Sequence, residues 1–479
     1  MSFADEIKNY IPENWHCLTL EECTTEGNIS YGIVQPGRSL NEGVPIIRVQ
    51  NVNNGTLILN DVMKVLPEIS NKYKRTMLNG GEVLLTLVGS TGQSVVVPQA
   101  LAGWNVARAI AVIKPKPEIG ANWINIFLQS SFVRHYLEVR ANTTVQKTLN
   151  LKDVRSVPIP IPPDYIKQTI ESIAMSISDK IAINQQINQT LEAMAQAIFK
   201  SWFVDFEPTR AKVAALEAGG SEEDANLAAM MAISGKSFDD LAKLKTADPE
   251  VYAELHATAS LFPSGFIDSE LGEIPEGWKG GKIGDVAKAK GGFAFKSNDF
   301  QNVGHPVLKI KNITGDGRVD LSGCQCVSDE VASKAERFEL RDGDLVMAMT
   351  GATVGKVGFV VNGDERLFLN QRVAKFESEK YGKKINWFLY CCFQRETIFA
   401  CVLGAVQGSA QPNISSSGIE STSILLPSSE VIIAFCTLLE NSFDHWIANI
   451  KQSKTLAQLR DSLLPKLLSG EFDVPEGKA

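Results

Sequence analysis

The sequence lacks most of the features that would mark a metalloprotein, a membrane protein or an exported protein. Its eight cysteines form no C-x-x-C pair, and its five histidines form no spaced cluster. We therefore expect reduced thiols and no metal site. No apolar run approaches the roughly 20 residues of a membrane span. Residues 1–15 have neither the basic nor the apolar stretch of an export signal. These absences predict a cytoplasmic location.

Positive charge is also scarce in one segment of the chain. The formal net charge of the 479 residues is −8, which by itself argues against a nucleic-acid partner. However, residues 205–275 contain fourteen acidic and five basic side chains, a net of −9, so the rest of the chain sums to +1. A basic surface outside this acidic segment is therefore compatible with the composition.

Signatures of catalysis are missing as well. The amino-methyltransferase motif places Asn or Asp before two prolines and an aromatic residue after them. The only Pro-Pro pair, Pro162-Pro163, stands between Ile161 and Asp164. No G-x-G-x-x-G stretch opens a strand–helix unit that would bind a dinucleotide. We find no helicase or nuclease signature.

One stretch, from Gly351 to Lys356, has the composition of a phosphate-binding loop. That loop requires four residues between its glycines, then Lys, a hydroxyl residue and a helix. Here three residues separate Gly351 from Gly355, and Val357 stands where the hydroxyl residue should be. The following VGFVVN has the pattern of a strand. We interpret the stretch as the turn of a β-hairpin, with nucleotide binding as the alternative.

The strongest signal that is present is an internal repeat. Six stretches recur in the same order and at a nearly constant offset, so the chain contains two copies of one unit of about 200 residues. The pairs are IPENW at 11–15 with IPEGW at 274–278, VPIIRVQN at 44–51 with HPVLKIKN at 305–312, GEVLLTLVGSTG at 81–92 with GDLVMAMTGATVG at 343–355, NWINIFLQ at 122–129 with NWFLYCCFQ at 386–394, TLNL at 148–151 with QPNI at 411–414, and IPIPP at 159–163 with ILLP at 424–427.

Both copies have the same internal order of elements. Strand-like stretches lead to the hairpin, then to a further strand, a short helix and a Pro-bearing segment. The hairpin turn of the first copy, Gly89–Ser94, has no Lys, so the shared role of the two turns is structural. The predicted fold class is α+β, with two duplicated strand-rich modules that are each followed by a long helix.

The two long helices are predicted over 164–203 and 429–470. Their apolar residues recur mostly at intervals of three and four, although Pro465 is expected to kink the second helix or end it early. We predict that the helices pair as an antiparallel coiled coil that acts as a spacer; the alternative is two core helices of separate domains. The apolar positions are 166, 170, 173, 177, 181, 187, 191, 194 and 198 in the first helix, and 432, 435, 439, 443, 446, 450, 456, 459, 463 and 467 in the second.

Residues 204–273 match nothing in the repeat. They are rich in Ala, Asp and Glu, and short helical pieces are separated by Gly and Pro. This composition predicts an acidic, partly helical connector, with a partner-docking segment as the alternative.

Two strand-rich modules, each followed by a long helix, resemble the specificity subunit of type I restriction–modification systems. The resemblance covers essentially the whole chain and implies that 1–163 and 274–428 are target-recognition domains. Each would read one half of a bipartite, asymmetric DNA site, and the helices would fix the gap between the halves. The motifs that carry it are I-P-E-x-W in both copies, FKSWFVDFEP at 199–208, ELGEIPEGW at 270–278, GFAFKSNDF at 292–300, TGATVGKVG at 350–358 and LNQRVA at 369–374.

The resemblance also implies partners for a chain that has no active site or cofactor of its own. Two methyltransferase subunits would use S-adenosylmethionine to methylate adenine, and restriction subunits would use ATP and Mg²⁺ to translocate and cut DNA. Two alternatives stay open. One is a nucleotide-dependent DNA-cleaving enzyme that uses the Gly351–Lys356 loop, and the other is a coiled-coil interaction protein without a DNA role.

Side chains with paired donors and acceptors on loops or strand ends are the candidates for contacting DNA. Phe293 and Phe295 are equally compatible with a core position. Specificity is expected where the two copies differ. The first-copy candidates are Tyr31, Gln35, Arg38, Ser90, Thr91, Gln93 and Arg108; the second-copy candidates are Phe293, Phe295, Lys296, Ser297, Thr350, Thr353, Lys356, Gln371 and Arg372.

Overall fold

The computed structural model describes residues 11–471 except 54, 60, 141, 144–146, 271, 316, 364 and 407–411. The stretch proposed to lack an export signal therefore lies largely outside the described residues, as does Gln411 of the QPNI repeat. The chain forms two compact units: residues 1–184 with 452–479, and residues 185–451. Each unit contains one copy of the repeat and one half of each long helix.

The first module is built on a four-stranded antiparallel sheet in the order β2-β10-β7-β8 and a three-stranded sheet in the order β6-β3-β9. Its strands are β1 His16–Thr19, β2 Thr24–Tyr31, β3 Val44–Ile47, β4 Val52–Asn53, β5 Thr56–Leu57, β6 Met63–Val65, β7 Val83–Thr86, β8 Ser94–Val96, β9 Asn105–Val106, β10 Ile110–Pro115, β11 Asn142–Thr143, β12 Lys147–Thr148 and β13 Pro158–Ile161. Its short helices are α1 Pro67–Asn71, α2 Ala121–Gln129, α3 Ser131–Arg140 and α4 Leu151–Arg155.

The four-stranded sheet is covered on both faces, which explains its continuous apolar strands. Successive side chains of a strand point to opposite faces. Val83 and Leu85 of β7 belong to one core cluster, whereas Leu84 belongs to another. All three are fully buried. A strand that is buried on both sides reads as an unbroken apolar run, and VLLT is such a run.

The second module repeats this arrangement with two five-stranded sheets, in the orders β17-β26-β23-β24-β20 and β18-β21-β19-β25-β22. Its strands are β16 Lys279–Lys282, β17 Lys288–Gly291, β18 Phe300–Gln301, β19 His305–Leu308, β20 Gly317–Arg318, β21 Cys326–Val327, β22 Glu339–Leu340, β23 Leu345–Ala348, β24 Val357–Phe359, β25 Leu367–Leu369, β26 Val373–Glu377 and β27 Ser423–Leu426. Its short helices are α10 Asp329–Lys334, α11 Ile385–Phe393, α12 Glu396–Gly404 and α13 Ser416–Glu420.

The hairpin predicted once per copy is present in both modules. β7 pairs antiparallel with β8, and β23 pairs antiparallel with β24. TLNL and the described part of QPNI lie beside these hairpins, because Leu149 donates its amide to Leu87 O and Ile414 donates its amide to Met349 O. The duplication read from the sequence therefore extends to hydrogen-bond register.

A buried asparagine holds the same turn in both copies. Asn51 accepts a hydrogen bond from the amide of Arg48 at 2.9 Å and donates to Ile58 O at 2.8 Å. Asn312 accepts from the amide of Lys309 at 2.9 Å and donates to Asp320 O at 2.8 Å. In each case the side chain closes a 3₁₀ turn after the strand that contains the repeat's proline.

Replacing Asn312 with Ala is expected to destabilise the second module by about 2 kcal/mol, because the change removes a buried side chain and leaves the Lys309 amide and the Asp320 carbonyl without it as a partner. Urea denaturation followed by tryptophan fluorescence measures the change. The exposed Asn302 provides the control, since Asn302→Ala removes the same side chain without any described hydrogen bond. Equal stability of the two variants would contradict the structural role of Asn312.

The long helices are α5, Asp164–Phe203, and α14, Ser429–Leu468. In the first unit Asn184 donates to Gln452 Oε1 at 2.8 Å. In the second unit Asn449 donates to Asn188 Oδ1 at 2.9 Å, and Asn188 donates to Trp446 O at 3.0 Å. The partner number falls as the α5 number rises, so the helices run antiparallel. The predicted antiparallel pairing is confirmed.

Aromatic side chains at the end of α5 explain the FKSWF stretch. The ring of Phe199 lies 5.9 Å from that of Phe435 on α14 and 5.6 Å from that of Phe388 on α11. Trp202 also contacts Phe435, at 5.9 Å. In the first unit the opposite ends of the helices, including Ile170 and Leu464, join the core of the first module. Each module is therefore packed directly on the helix pair.

Two details of the helix prediction are wrong. The predicted apolar stripe included 187 and 194, but Ile187 and Met194 are 41% and 51% exposed. The buried or half-buried positions include Asn184, Asn188 and Ala195 beside the predicted Leu191, and the register places two asparagines against α14. Polar residues at interior positions fix the register of paired helices at a cost in stability. In α14 the expected early end is absent, since the helix continues past Pro465 to Leu468.

The acidic segment is more ordered than the sequence predicts. It forms four helices followed by a hairpin, with a small core that includes Met230 and Leu241. Lys212 is buried, and its ammonium group donates to Phe262 O at 2.8 Å. Ser221 and Ser237 cap the second and third helices, a local signal that marks their starts. The elements are α6 Glu207–Glu217, α7 Glu222–Ser234, α8 Phe238–Ala247, α9 Pro249–Ser260, β14 Phe266–Ser269 and β15 Gly272–Pro275.

Candidate DNA interface

Three strand ends of the first module meet at one edge of its four-stranded sheet. β2 ends at Tyr31, which pairs with Ala111 near the start of β10, and β7 ends at Thr86, which pairs with Ile110. Because both pairings are antiparallel, the residues after β2, after β7 and before β10 lie beyond the same edge. The structure therefore brings Tyr31, the hairpin turn and Arg108 to one side of the module.

The hairpin turn of the first module is closed by a threonine hydroxyl. Thr86 donates this hydroxyl to Ser90 O and accepts a hydrogen bond from the amide of Gln93 at 2.9 Å. Gly89 and Gly92 have φ of 78° and 81°, a conformation that side chains rarely adopt. Ser90 is exposed, whereas Thr91 and Gln93 are half-buried. The turn is thus a rigid projection with polar side chains.

The second module has the same edge with different residues. β17 ends at Gly291, paired with Ala374, and β23 ends at Ala348, paired with Val373. Gln371 and Arg372, which precede β26, are exposed at this edge beside the turn of the hairpin. The amide of Gln371 donates to Phe293 O at 2.9 Å, as the amide of Arg108 donates to Ile33 O at 2.8 Å in the first module. Gln371 is therefore the structural counterpart of Arg108.

The second hairpin turn is not a phosphate-binding loop. Gly351–Thr353 forms one 3₁₀ turn, and the chain continues as β24 rather than as a helix. Lys356 is exposed, and its aliphatic stem lies against Gly315, where an added Cβ would approach Lys356 Cδ to 2.7 Å. Thr353 donates to Ile310 O at 3.4 Å. The loop therefore lacks the helix N-terminus that would hold the phosphates of a nucleotide, which counts against the nucleotide-binding alternative.

Several second-module candidates are less available to DNA than their residue types suggest. Phe295 is 8% exposed and packs in a core cluster, and the Phe293 ring lies 4.9 Å from it. Thr350 is 7% exposed and pairs with Asn413. Lys296 and Ser297 are exposed, and the Lys296 amide donates to Asp299 Oδ2 at 2.7 Å. The two phenylalanines thus take the core positions named as their alternative. Burying an aromatic ring here is more favourable in free energy than leaving it in water.

Gln35 and Arg38 lie on the connection between β2 and β3 and are exposed. Within the described part of the chain, no side-chain hydrogen bond or ion pair joins them to the hairpin turn. They flank the edge that Tyr31 and Arg108 share but are not held in place by it.

A cationic group near Tyr31 was passed over by the sequence interpretation. Lys72, Lys74 and Arg75 follow helix α1, and the strand β2 lies against their segment. The signal was available as three cations within the four residues KYKR. It is short, however, and its approach to Tyr31 depends on tertiary structure.

In the second module Lys309 occupies the position of Arg48. Its ammonium group lies 3.4 Å from the centroid of the Phe300 ring and donates to Gln325 at 2.6 Å. Burial, with a smaller contribution from the charge of Lys311, lowers the pKa of Lys309. The Lys309 ammonium group thus interacts with side chains of its own module, whereas Gln371 and Arg372 are exposed to solvent.

Across residues 11–471 apart from the gaps given above, no group of three or more His, Cys, Asp or Glu side chains is arranged to hold a metal ion. In the same part of the chain, no helix has both the length and the apolar character needed to cross a membrane.

Comparison with known proteins gives this architecture a family. The profile described as "Type I restriction modification DNA specificity domain" matches residues 35–193 and again 275–452, once per copy of the repeat. The HindI specificity subunit of Haemophilus influenzae, a type I restriction enzyme, is 30% identical over 440 residues, which cover 88% of this chain and 94% of that protein. The MjaIX specificity subunit of Methanocaldococcus jannaschii is 23% identical over 399 residues, covering 83% and 78%.

Solved structures add a more distant likeness. The S subunit of a type I restriction–modification system from M. genitalium covers 98% of both chains at 13% identity, with a TM-score of 0.44, too low to carry an argument. The profile and the H. influenzae relative carry the assignment, since one matches most of the chain and the other extends over nearly all of it. The chain belongs to the family of type I restriction–modification DNA specificity subunits.

Proposed function

We propose that this subunit reads a bipartite, asymmetric DNA site through residues 1–163 and 274–428, one half-site per module. In this proposal the helix pair sets the length of the gap between the half-sites. It assigns adenine methylation with S-adenosylmethionine to two bound methyltransferase subunits, and ATP- and Mg²⁺-dependent cleavage to restriction subunits. The chain itself would carry no catalytic residue and no cofactor.

The observation that supports this proposal best is the matched edge of the two modules. The same strand ends meet at the same edge, but the side chains there differ: Arg108 in one copy corresponds to Gln371 in the other. Arg pairs with guanine and Gln with adenine in the major groove. Two unequal half-sites require two modules with the same backbone arrangement but different DNA-contacting side chains. We propose that the candidates given above form the DNA-binding set. Phe295 and Thr350 belong to it by supporting the edge from within, and the others by contacting DNA.

Methylation mapping of host DNA, with and without this gene, tests the proposal. The expected result is one bipartite, asymmetric motif that carries methyladenine and loses it entirely on deletion. Reintroducing the gene should restore the same motif. A methylation pattern unchanged by deletion, or a continuous palindromic motif, would contradict the proposal.

The exposed apolar side chains of α5 support a second part of the proposal, that the helices dock the methyltransferase subunits. Ile187 and Met194 are seven residues apart, so they lie on one face of the helix, and each is more than 40% exposed. We propose that a methyltransferase subunit covers these two apolar side chains, as partners cover larger exposed apolar patches.

Introducing charge on this face is expected to weaken methyltransferase binding. The double variant I187E/M194E should raise the dissociation constant by about two orders of magnitude, because two apolar contacts are lost and two carboxylates are introduced. Q189E/A193E adds the same charges on another exposed face of the same helix and serves as the control. Measurement by calorimetry or co-purification decides; equal binding by both variants would exclude this face as the docking surface.

A further inference from the structure

The first module contains a cleft of about 470 Å³ beside the candidate DNA edge. Tyr31 stands at the end of β2 and belongs to both the edge and the cleft. Lys72, Lys74 and Arg75 form a wall of the cleft, and Arg155 is a fourth cation in its lining.

The cations on the wall of this cleft carry no described counter-charge. Lys72, Lys74 and Arg75 are exposed, and in the part of the chain that the structure describes none of them makes an ion pair. Glu68, four residues before Lys72, is the obvious partner in sequence but does not form the pair. Arg155 differs, since its guanidinium group donates to Ile29 O at 3.0 Å and lies 3.6 Å from Glu21. Three positive charges therefore face solvent from one wall.

A buried polar network holds that wall in place. Asn105 is fully buried; it accepts from the hydroxyl of Thr76 at 2.8 Å and donates to Ser70 Oγ at 3.0 Å and to Tyr73 O at 3.3 Å. Ser70 and Thr76, which bracket the cations, are themselves 0% and 1% exposed. A satisfied buried network rigidifies the segment that it joins. The cations are thus carried on a preorganised segment rather than on a free loop.

The second module carries less positive charge at the same place. Strand pairing aligns β9 with β25, and the turn at 74–76 with the turn at 336–338. On this alignment Glu336 replaces Lys74, and Arg337 keeps the charge of Arg75. Lys334 replaces Lys72, but its ammonium group is paired with Glu330 at 2.7 Å. Three unpaired cations in the first module therefore correspond to one paired lysine, one carboxylate and one arginine in the second, so most of the local positive charge is absent there.

The supporting network is replaced as well. The counterparts of Asn105, Thr76 and Ser70 are Phe368, Phe338 and Ala332, all members of one apolar cluster or packed against it. Because the sister module has an apolar cluster at this place, the shared fold itself does not require a polar network here. In the first module the polar network occurs together with the cations. It is a separate observation from the charges, since none of its side chains is charged.

We propose that the cleft lined by Tyr31, Lys72, Lys74 and Arg75 binds DNA backbone phosphates and anchors the first half-site, an anchor that the second module lacks. The inference rests on the proposed function, because it presupposes that the modules bind DNA. Phosphate contacts position a protein on the duplex without reading sequence. The first module thus holds DNA largely through charge, and the second relies on other contacts.

The salt dependence of DNA binding tests the inference. With the full chain assembled with its methyltransferase subunits, K72Q/K74Q/R75Q should reduce the slope of log affinity against log salt by about 2–3, since each phosphate contact contributes about 0.9. The methylated sequence should not change. K236Q/K243Q/K245Q removes the same charge from the acidic segment and should leave the slope unchanged. K72R/K74R/R75K retains the charges and should retain the slope.

The outcomes separate the inference from the function on which it rests. An unchanged slope for K72Q/K74Q/R75Q, in protein with an unaltered thermal unfolding curve, overturns the phosphate site. So does a change in the first half of the methylated sequence, which would make the cleft a base-reading site. The single variant E336K tests the converse and should raise the slope by about 1. Failure of the unmodified assembly to bind any DNA would overturn the proposed function itself.

Discussion

Lengthening both long helices by seven residues is expected to widen the gap between the two half-sites by about three base pairs and to leave both half-sites unchanged. Seven residues add about 10 Å to a helix at 1.5 Å per residue, and a duplex rises about 3.4 Å per base pair. The insertions belong after Gln185 in α5 and after Lys451 in α14, next to the paired asparagines. A heptad insertion rotates the following helix face by only about 20°.

Methylation mapping of cells that carry the lengthened chain measures the new gap. The matched control inserts the same number of residues after Gly235, in the turn between α7 and α8, where the helix pair is not altered. That control should methylate the original motif. Altered half-sites in the lengthened chain, or a gap that does not change, would contradict the assignment of the spacer to the helices.

Substituting Ala for Gly32 is expected to abolish recognition by the first module. An added Cβ at Gly32 would lie 2.0 Å from Val106 O, well inside van der Waals contact. The β2 end would have to move, and with it the hydrogen bonds that Ile33 and Arg108 make across this edge. A displacement of the backbone at this edge should lower affinity for the target by about a hundredfold or more.

The second module provides the reciprocal test at Gly292. There an added Cβ would lie 2.2 Å from Leu369 O, so Gly292→Ala should affect the second half-site in the same way. Gly404 has open space around it and no left-handed backbone, so Gly404→Ala is the control. Binding to DNA in which only one half-site is intact distinguishes the modules. If Gly32→Ala binds intact target DNA normally, the edge does not contact DNA.

The repeat explains why so much of the fold could be predicted from one sequence. Two copies provide two independent readings of each element, so the turn at Gly89 showed that the turn at Gly351 needs no Lys. The long helices were predictable for a different reason: their apolar residues recur locally and no glycine interrupts them. In both cases the decisive information lies within a short stretch or its copy.

Other features depend on contacts that no short stretch contains. The interior of the helix pair includes Asn184 and Asn188, whose partners on α14 are more than two hundred residues away in the chain. Hydrophobicity alone therefore favoured Ile187, which is exposed. The cations at 72–75 gain meaning only when β2 brings Tyr31 beside them. Phe295 was ambiguous, because an aromatic ring suits both a core and a stacked base.

The placement of the last turns of α14 has a consequence for how the protein is made. Leu464, Leu467 and Leu468 belong to the core of the first module, together with Ile170 and Ala174 of α5. Chains are synthesised from the N-terminus, and domains generally fold as they emerge. The first module must therefore wait with part of its apolar core uncovered until the whole second module has left the ribosome. The module that is translated first is the one that is completed last.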